Sequence, residues 1–436
     1  MIDPSAHLIP TRRQVLLGGM GAASAALLAA CSVTGNSSKG SGGSGKGTLQ
    51  ALFMQQAGYS TDDVNAMLGR FHGANPDITV KPTFVTYEAL HNKIVTAAAA
   101  GAYDVVLIDV IWPAEFATTS IVADVSSRYP GDWKTAMLGG ALATAEYQDK
   151  YYGVGWGMDT KFFYRNTELL KRAGVADGPL ETWDAVLAAA RALKSKGVVK
   201  FPLAWSWSQA EALMCDYTQL LGAFGGTFLD GSGKLAINTG GGVAALQWMR
   251  QTIVDGLTNP ASTTFLEADV QKTMNEGQAA MGLNWTYYLA TSKDASQSKV
   301  AGQIAVQQTP AGPSGKRPGV NGAMALSISS GSKNQDAAWK LIEHLTSEQE
   351  LDKYASSALP IWKDSYTKPD VVGSAPETFE AAKAQLDDMI LRPGVKNYNA
   401  ISQAIQVELQ NALLGKKPAQ QALDDAVKTA TPLMQS

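Results

Sequence analysis

Aromatic and hydrogen-bonding side chains follow several of the apolar runs that read as strands in this chain. Asp109 ends one buried run and is followed by Trp112, while Asn284 and Trp285 come directly after a second run that begins at Ala279. Because ligands of open α/β sheets bind beyond the carboxyl ends of the strands, these residues are predicted to line a cleft. Indole rings cover apolar C–H faces, and carboxylates form charge-assisted hydrogen bonds with hydroxyl groups. The combination suits a polyhydroxylated ligand.

The elements that must position these residues alternate between strand and helix. Thr48–Met54, Ile78–Val85 and Asp104–Asp109 read as strands, and the last of these is a continuous apolar run typical of a strand buried on both faces. Ser60 can cap a helix between the first two, and Tyr87 begins a helix before the third. This β-α-β-α-β order predicts an α/β lobe with a largely parallel sheet.

Composition limits the classes of protein to which the chain can belong. The 436 residues predict two or three domains or one large one, and 45% hydrophobic residues supply a sizeable core. A formal net charge of −3 argues against a nucleic-acid partner, which requires a basic face. The 2 Cys and 4 His lack the spacing of a zinc site, so we predict no metal and no cofactor.

The N-terminus carries the features of an export signal. A twin arginine within Thr11–Leu17 precedes the soft apolar run Val15–Ala30, which is shorter than the roughly 20 residues a membrane span needs. The run ends before Cys31 and resembles the lipobox of bacterial lipoproteins. The following segment, Ser32–Gly47, is mostly Gly and Ser and is predicted to be a flexible tether. The alternative is a buried N-terminal helix with an accidental cysteine.

An ordered series of motifs spans nearly the whole mature chain, about residues 48–430. The motifs are Tyr87-Glu-Ala-Leu90, Asp104-Val-Val-Leu-Ile-Asp109 with Trp112-Pro-Ala-Glu115-Phe116, Tyr152-Gly-Val-Gly-Trp156 before Asp159, Leu180-Glu-Thr-Trp183-Asp184, Met274-Asn-Glu-Gly277 with Asn284-Trp285, Asn334-Gln-Asp336-Ala-Ala-Trp339 and Leu391-Arg-Pro393 with Tyr398. In this order they resemble the sugar-binding lipoproteins of bacterial ABC importers, the group that includes maltose- and trehalose-binding proteins.

The resemblance implies an α/β, two-lobed fold of the type II periplasmic-binding-protein kind, with a hinge and an interlobe ligand cleft. The predicted organisation is a twin-arginine-type signal peptide at 1–30, a lipidated Cys31 and tether at 31–47, lobe 1 at 48–158 plus 310–346, and lobe 2 at 159–309 plus 347–436. The implied function is capture of a carbohydrate, a di- or oligosaccharide, for the transmembrane subunits of an ABC permease. The implied location is the extracytoplasmic face of the cell membrane, where a lipid anchor holds a monomer.

The candidate ligand-binding residues combine positions after predicted strands with positions that the resemblance supports. They are Gln55, Asp109, Trp112, Asp159, Trp205, Trp207, Glu211, Glu267, Asn284, Trp285, Tyr287, Asn321, Arg392 and Tyr398. The resemblance gives Asp159 a role in holding sugar hydroxyls and Trp285 a stacking role.

Several candidates have simpler explanations. Asp109 can cap the helix that follows it, Glu267 can favour a helix dipole, and Arg392 can form a surface salt bridge. The sequence around Asn321 also departs from the Gly-Gly pair usual in the family. Three other tryptophans are predicted to be core residues. Trp248 and Trp339 lie in apolar helical patterns, and Trp183 follows a helix cap at a position to which the resemblance gives a structural role.

Two other functions remain open at this stage. A lipid-anchored glycan hydrolase needs two carboxylates about 5–10 Å apart, and Asp109, Asp159 and Glu267 could supply such a pair. The second alternative is a binding protein for a non-sugar polyol such as a glycerophosphodiester. The chain has no Gly-x-Ser-x-Gly, His-Glu-x-x-His or P-loop motif, and we therefore expect a binding protein rather than an enzyme.

Overall fold

A computed structural model describes residues 47–56 and 58–434 of the chain. The predicted signal peptide and the lipidated Cys31 lie outside these residues, as does the tether apart from Gly47. No helix in the described part of the chain has the length and hydrophobicity needed to cross a bilayer.

The described chain contains thirteen strands and seventeen α-helices. The strands are β1 (Gly47–Met54), β2 (Ile78–Val85), β3 (Val105–Asp109), β4 (Glu146–Tyr147), β5 (Lys150–Tyr151), β6 (Val154–Gly157), β7 (Phe162–Asn166), β8 (Leu203–Ala204), β9 (Met281–Asn284), β10 (Ile304–Gln307), β11 (Gly319–Val320), β12 (Met324–Ile328) and β13 (Met389–Ile390). The helices are α1 (Thr61–Ala74), α2 (Tyr87–Ala98), α3 (Pro113–Thr118), α4 (Trp133–Ala136), α5 (Gly139–Ala143), α6 (Thr167–Arg172), α7 (Trp183–Ser195), α8 (Glu211–Ala223), α9 (Gly240–Val254), α10 (Glu267–Asn275), α11 (Tyr288–Lys293), α12 (Gln335–Leu345), α13 (Glu348–Leu351), α14 (Pro369–Ser374), α15 (Pro376–Gln385), α16 (Tyr398–Leu413) and α17 (Ala419–Ala430). Short 3₁₀ turns cover Ser126–Arg128, Pro260–Thr264, Asp352–Tyr354, Asp364–Thr367, Leu386–Asp388 and Thr431–Met434.

The first sheet has the strand order β2-β1-β3-β12-β6. Its first three strands run parallel, whereas β12 is antiparallel to both β3 and β6, so the sheet is mixed rather than largely parallel. Every residue of β3 and β12 is buried, as expected for strands covered on both faces. Pro82 lies opposite Ala51 in the edge strand β2, where a missing N–H is tolerated.

The second sheet has the strand order β10-β7-β9-β8. Its central strand β7 is antiparallel to β9 and β10, and β8 pairs with β9 in parallel. All five residues of β7 are buried, including the polar Arg165 and Asn166. The Oδ1 of Asn166 accepts the backbone N–H of Leu169 at 2.9 Å and so caps α6, which gives this buried amide oxygen a structural role.

Segments that cross between the two sheets are hydrogen-bonded to one another. The chain crosses after β6 and again between β10 and β12, and in the second crossing β11 pairs in parallel with β13. The backbone N–H of Gly322 donates to the carbonyl of Asp159 at 3.0 Å, and that of Asn321 donates to the carbonyl of Ile390 at 3.1 Å. Residues 310–322, a stretch rich in Gly and Pro, therefore contain a short ladder where the crossings meet.

The predicted lobe boundaries stay a prediction, and contacts of one stretch favour a different assignment. The backbone N–H of Met158 donates to the carbonyl of Leu359 at 2.9 Å, and that of Lys363 donates to Ala136 at 3.0 Å. The ring of Trp362 lies 5.5 Å from that of Trp133. These contacts place the stretch around 359–363 against residues of the predicted lobe 1, although the prediction assigned it to lobe 2.

Leu107 tests the importance of the central strand. Its side chain is fully buried in β3, so Leu107→Ala is expected to lower the free energy of unfolding by about 2–5 kcal/mol. Urea denaturation followed by circular dichroism measures this loss. The control Val254→Ala removes methyl groups from a side chain that is 60% exposed and should change stability by less than about 0.5 kcal/mol. Equal effects of the two substitutions would contradict the fold.

Candidate functional site

A cavity of about 690 Å³ lies among loops that follow strands of both sheets. Nine of the fourteen predicted residues line it: Gln55, Asp109, Trp112, Asp159, Glu211, Glu267, Trp285, Tyr287 and Arg392. Asp109 ends β3, Asp159 lies between β6 and β7, and Trp285 directly follows β9. The volume is in the range of sites for small molecules.

Two predicted residues, Trp205 and Trp207, lie in the core instead of the cavity. Their rings stack at 5.5 Å with an interplanar angle of 10°, and neither side chain is more than 1% exposed. The segment after β8 turns inwards because the turn Pro260–Thr264 covers it, and the N–H of Trp207 donates to the carbonyl of Ser262. Trp205 Nε1 donates to Thr258 Oγ1 at 2.9 Å. Although Trp205 and Trp207 follow a strand, their side chains therefore do not line the cavity.

Three other predicted residues lie behind the cavity wall, where they hold lining residues. The amide of Asn284 donates to the carbonyl of Glu267 at 3.1 Å and accepts the N–H of Trp285. The backbone carbonyl of Asn321 accepts Arg392 Nη2 at 3.1 Å. The third, Tyr398, donates its hydroxyl proton to Glu211 Oε1 at 2.5 Å. None of these predicted residues lines the cavity.

Arg392 joins two carboxylates that come from different parts of the fold. Its Nη2 lies 3.2 Å from Asp109 Oδ1, and its Nη1 lies 2.8 Å from Glu211 Oε1, with the guanidinium side chain only 1% exposed. Asp109 also accepts the hydroxyl of Tyr87 at 2.9 Å and the N–H of Ile111. Arg392 forms buried ion pairs rather than the surface salt bridge considered above.

Burial disfavours the charged forms of both Asp109 and Arg392, and their neighbours oppose this effect. Burial raises the pKa of Asp109 above its usual value, and Arg392, Tyr87 and Ile111 act in the opposite direction. Burial also disfavours the guanidinium charge, but the neighbouring carboxylates Asp109 and Glu211 help to hold the pKa of Arg392 well above its usual value. The Nε of Arg392 is buried without a hydrogen-bond partner in the described residues.

A second buried network supports the opposite part of the wall. Lys161 Nζ lies 2.8 Å from Asp216 Oδ1, 2.7 Å from Ser206 Oγ and 2.9 Å from Glu267 Oε1, and its side chain is fully buried. Glu267 Oε1 also accepts Trp285 Nε1 at 3.2 Å, and Lys161 Nζ lies 5.2 Å from the Trp285 ring. One lysine therefore orients both a carboxylate and an indole of the cavity.

Burial and charge pairing shift the pKa values of Asp216 and Lys161. Burial raises the pKa of Asp216 to about 6, although Lys161 favours the ionised carboxylate. Burial opposes the charge of Lys161, but the carboxylates of Asp216 and Glu267 raise the pKa of this lysine above its usual value. At neutral pH the lysine therefore stays charged and forms a buried ion pair with the Asp216 carboxylate.

Asp159 is held by hydrogen bonds to a single oxygen. Its Oδ1 accepts the hydroxyl of Thr286 at 2.6 Å and the backbone N–H groups of Thr286 and Thr160 at 3.1 and 2.9 Å. Burial raises the pKa of Asp159 to about 6, and the Thr286 and Thr160 hydrogen bonds partly oppose this. The carboxylate is fixed in orientation while its second oxygen has no partner in the described part of the chain.

The indole of Trp285 packs closely against the backbone of Gly322. A Cβ atom at position 322 would lie 2.2 Å from Cζ3 of this ring, so no larger residue fits without a shift. The absence of a side chain at Gly322 thus allows the crossing segment to back the indole. The sequence Gly319-Val-Asn-Gly322 lacks the expected Gly-Gly pair, but its glycine at 322 serves this close approach.

Sequence reasoning missed several lining residues. Tyr87 stacks on Trp112 at 5.9 Å, and His91 contacts the same indole at 5.2 Å. Asn399 accepts Trp112 Nε1 at 3.3 Å and donates to Glu115 Oε2 at 3.3 Å.

A helical pattern could have revealed part of this missed set. Asn399, Gln403 and Gln406 recur at i, i+4 and i+7 on α16, a spacing that places them on one helix face.

Cys215 and the remaining metal-binding residue types add little chemistry here. Cys215 is a free, buried thiol, and burial raises its pKa to about 12, so it is protonated at neutral pH and behaves as a small hydrophobic residue. Among the described residues, no group of three or more His, Cys, Asp or Glu side chains is placed to hold a metal ion.

Residues 42–352 match the profile of the bacterial extracellular solute-binding proteins. A probable ABC transporter-binding protein of Deinococcus radiodurans is 29% identical over 345 residues, which are 75% of this chain and 79% of that protein. An arabinooligosaccharide-binding protein of Bacillus subtilis is 24% identical over 341 residues, 76% of each chain.

Solved structures share the fold. MalE3 of T. maritima with maltose bound has a TM-score of 0.81 at 28% identity, covering 88% of this chain and 99% of that one. The GacH receptor of Streptomyces glaucescens has a TM-score of 0.79 at 23% identity, covering 90% of this chain and 99% of its own. The predicted α/β, two-lobed binding-protein fold is confirmed.

Lys161 can be tested as the support of the wall. Lys161→Met leaves the fully buried Asp216 carboxylate without its cation, and we expect a loss of about 3–5 kcal/mol in the free energy of unfolding. Urea denaturation of the variant measures the loss. The double variant Lys161→Met/Asp216→Asn removes the uncompensated charge and should recover part of the stability. A single variant as stable as the wild type would contradict the buried ion pair.

The Asp159 carboxyl predicts a pH-dependent stability. Because burial raises the pKa of Asp159 from 3.8 to about 6, the folded state binds the proton more tightly than the unfolded chain. This group's contribution to stability therefore falls as the pH rises from about 4 through 6. Asp159→Asn, which resembles the neutral acid, should be more stable than the wild type at pH 8, by about 3 kcal/mol at most, and similar to it at pH 4.

Urea denaturation at the two pH values measures this difference. The control Glu380→Gln changes the net charge equally at an exposed position and should show no such dependence on pH. A stability gain of Asp159→Asn that is the same at pH 4 and pH 8 would contradict the raised pKa.

Proposed function

Because the chain belongs to the bacterial extracellular solute-binding protein family, we propose that it captures a carbohydrate, a di- or oligosaccharide, for an ABC importer. The observation that carries the proposal is the wall of the 690 Å³ cavity, where the Trp285 indole lies beside fixed carboxylates. The indole offers a surface for the C–H face of a sugar ring, and Asp159 and Glu267 offer acceptors for its hydroxyls. The maltose bound by T. maritima MalE3 supports this class of ligand.

The proposed mechanism is capture by closure of the lobes. An open form admits the sugar, and binding energy shifts the population to a closed form that buries it. The crossing segments around Asp159 and Gly322 act as the hinge, since few connections join the two sheets. The closed surface is then recognised by the transmembrane subunits of the permease, and a separate ATPase drives transport.

The proposed location follows from the N-terminal sequence. Export through a twin-arginine-type signal at 1–30 and acylation of Cys31 would hold a monomer at the extracytoplasmic face of the cell membrane. The tether that ends at Gly47 would leave the lobes free to reach the permease. Radiolabelled palmitate supplied to cells should label the wild-type protein and not Cys31→Ser.

A thermal-shift screen over mono-, di- and oligosaccharides tests the function, and calorimetry then measures affinity and stoichiometry. We expect one sugar bound per chain and recovered unchanged. Turnover of the sugar would identify the hydrolase instead, and a screen without any carbohydrate ligand would overturn the proposal. Small-angle scattering of the saturated protein should show compaction, and an unchanged radius of gyration would refute closure.

Trp285 provides the sharpest variant. Trp285→Ala removes the proposed stacking surface, and we expect at least a tenfold loss of affinity, about 1.4 kcal/mol, for the sugar found in the screen. Calorimetry measures the dissociation constant. The matched control Trp207→Phe trims a tryptophan that does not line the cavity, so it should lower stability while leaving the affinity unchanged. Equal losses of affinity in both variants would contradict a stacking role for Trp285.

A further inference from the structure

The described residues that line the cavity carry an unequal set of charges. Five are carboxylates, namely Glu88 at an exposed position and Asp109, Asp159, Glu211 and Glu267 deeper in the site, whereas Arg392 is the single arginine or lysine. A charged ligand that enters this cavity therefore meets mainly negative groups.

The basic side chains that line the cavity already contact protein carboxylates. Arg392 contacts both Asp109 and Glu211, as described above, and so faces two negative charges with one positive charge. His91 Nε2 lies 2.9 Å from Glu115 Oε2.

Lys161, just behind the wall, is divided in the same way between two carboxylates. It contacts Asp216 and Glu267, and its side chain has no exposed surface. No cation in the described wall is left to neutralise a ligand anion.

The polar atoms that remain free are suited to neutral hydroxyl groups. All side-chain hydrogen bonds of Asp159 within the described chain fall on Oδ1, and the side-chain contacts of Glu267 fall on its Oε1, so each carboxylate keeps a second oxygen as an acceptor. A ligand hydroxyl can donate to these carboxylate oxygens, whereas an ionised carboxylate or phosphate group can only accept.

We propose that this cavity selects uncharged or cationic carbohydrates and rejects anionic ones such as aldonates, uronates and sugar phosphates. The inference rests on the proposed function and deepens it by naming the charge of the ligand. Charges act strongly over a few ångströms where water is largely excluded, so the surplus of carboxylates disfavours an anion by more than tenfold in affinity. The same argument counts against a glycerophosphodiester as the natural ligand.

A matched series of ligands tests this selectivity on the full wild-type chain. Maltitol, 1-amino-1-deoxymaltitol and maltobionate share one scaffold and differ at one carbon, which carries a hydroxyl, an ammonium or a carboxylate. Sorbitol, glucamine and gluconate form the corresponding monosaccharide series, and the same three derivatives are made from whichever neutral sugar binds best in the screen. Calorimetry at pH 7.5 should show binding of the neutral and amino members and at least tenfold weaker binding of the acid.

Two variants of equal net charge locate the selectivity in the cavity. Asp159→Asn retains a carbonyl oxygen that can accept the bonds from Thr286 and Thr160, so it removes charge with little change of shape. We expect it to narrow the ratio of affinities between the neutral and the acidic ligand severalfold. Glu380→Gln removes one negative charge from an exposed residue that does not line the cavity and should leave the ratio unchanged.

The outcomes separate this inference from the proposed function. An acid that binds as tightly as its neutral partner overturns the charge selectivity and leaves carbohydrate capture intact. An unchanged ratio in Asp159→Asn, or an equal change in both variants, overturns the role of the cavity carboxylates. A protein that binds no carbohydrate of any charge overturns the proposed function and with it this inference.

Discussion

The contact of Arg392 with Asp109 and Glu211 is the interaction on which the site depends. Asp109 ends a strand of the first sheet and Glu211 begins α8, so one guanidinium joins elements far apart in sequence. Removing Arg392 would leave two buried carboxylates without their cation, which is more costly than the net gain from the intact pairs. The desolvation of these groups lowers the stability of the folded protein, and their ion pairs fix the positions of groups at the centre of the cavity.

A second constraint lies where the chain crosses between the sheets. Asp159 and Gly322 are hydrogen-bonded to each other through their backbones, and each also contacts the element that follows β9. Thr286 holds the Asp159 side chain, while Gly322 backs the ring of Trp285. The crossing segments therefore form part of the cavity wall as well as a connection between the two sheets.

The sequence predicted the sheets and much of the site because apolar runs and their ends have a clear local signature. Asp109, Asp159 and Trp285 follow strands and line the cavity, as expected. Trp205 shares that signature, but a covering turn more than fifty residues later buries it with its neighbour Trp207. Whether a loop faces the cleft or the core depends on such distant contacts, which spacing along the chain does not encode.

The lining residues on α16 and the antiparallel direction of β12 were not predicted for related reasons. The α16 face that includes Asn399 belongs to a helix with no preceding strand, and its approach to Trp112 is decided by packing. The pairing direction of β12 follows from a chain that returns from the second sheet.

The lack of a side chain at Gly322 also has an evolutionary consequence. The space beside Trp285 is set by the lack of a single methyl group, so one codon change at 322 would force the indole or the crossing segment to shift. Gly322 itself lines the cavity, so a substitution there would alter the shape of the pocket while leaving its carboxylates and Arg392 unchanged. The crossing segment is in this sense a spacer that sets the position of the indole as well as joining the two sheets.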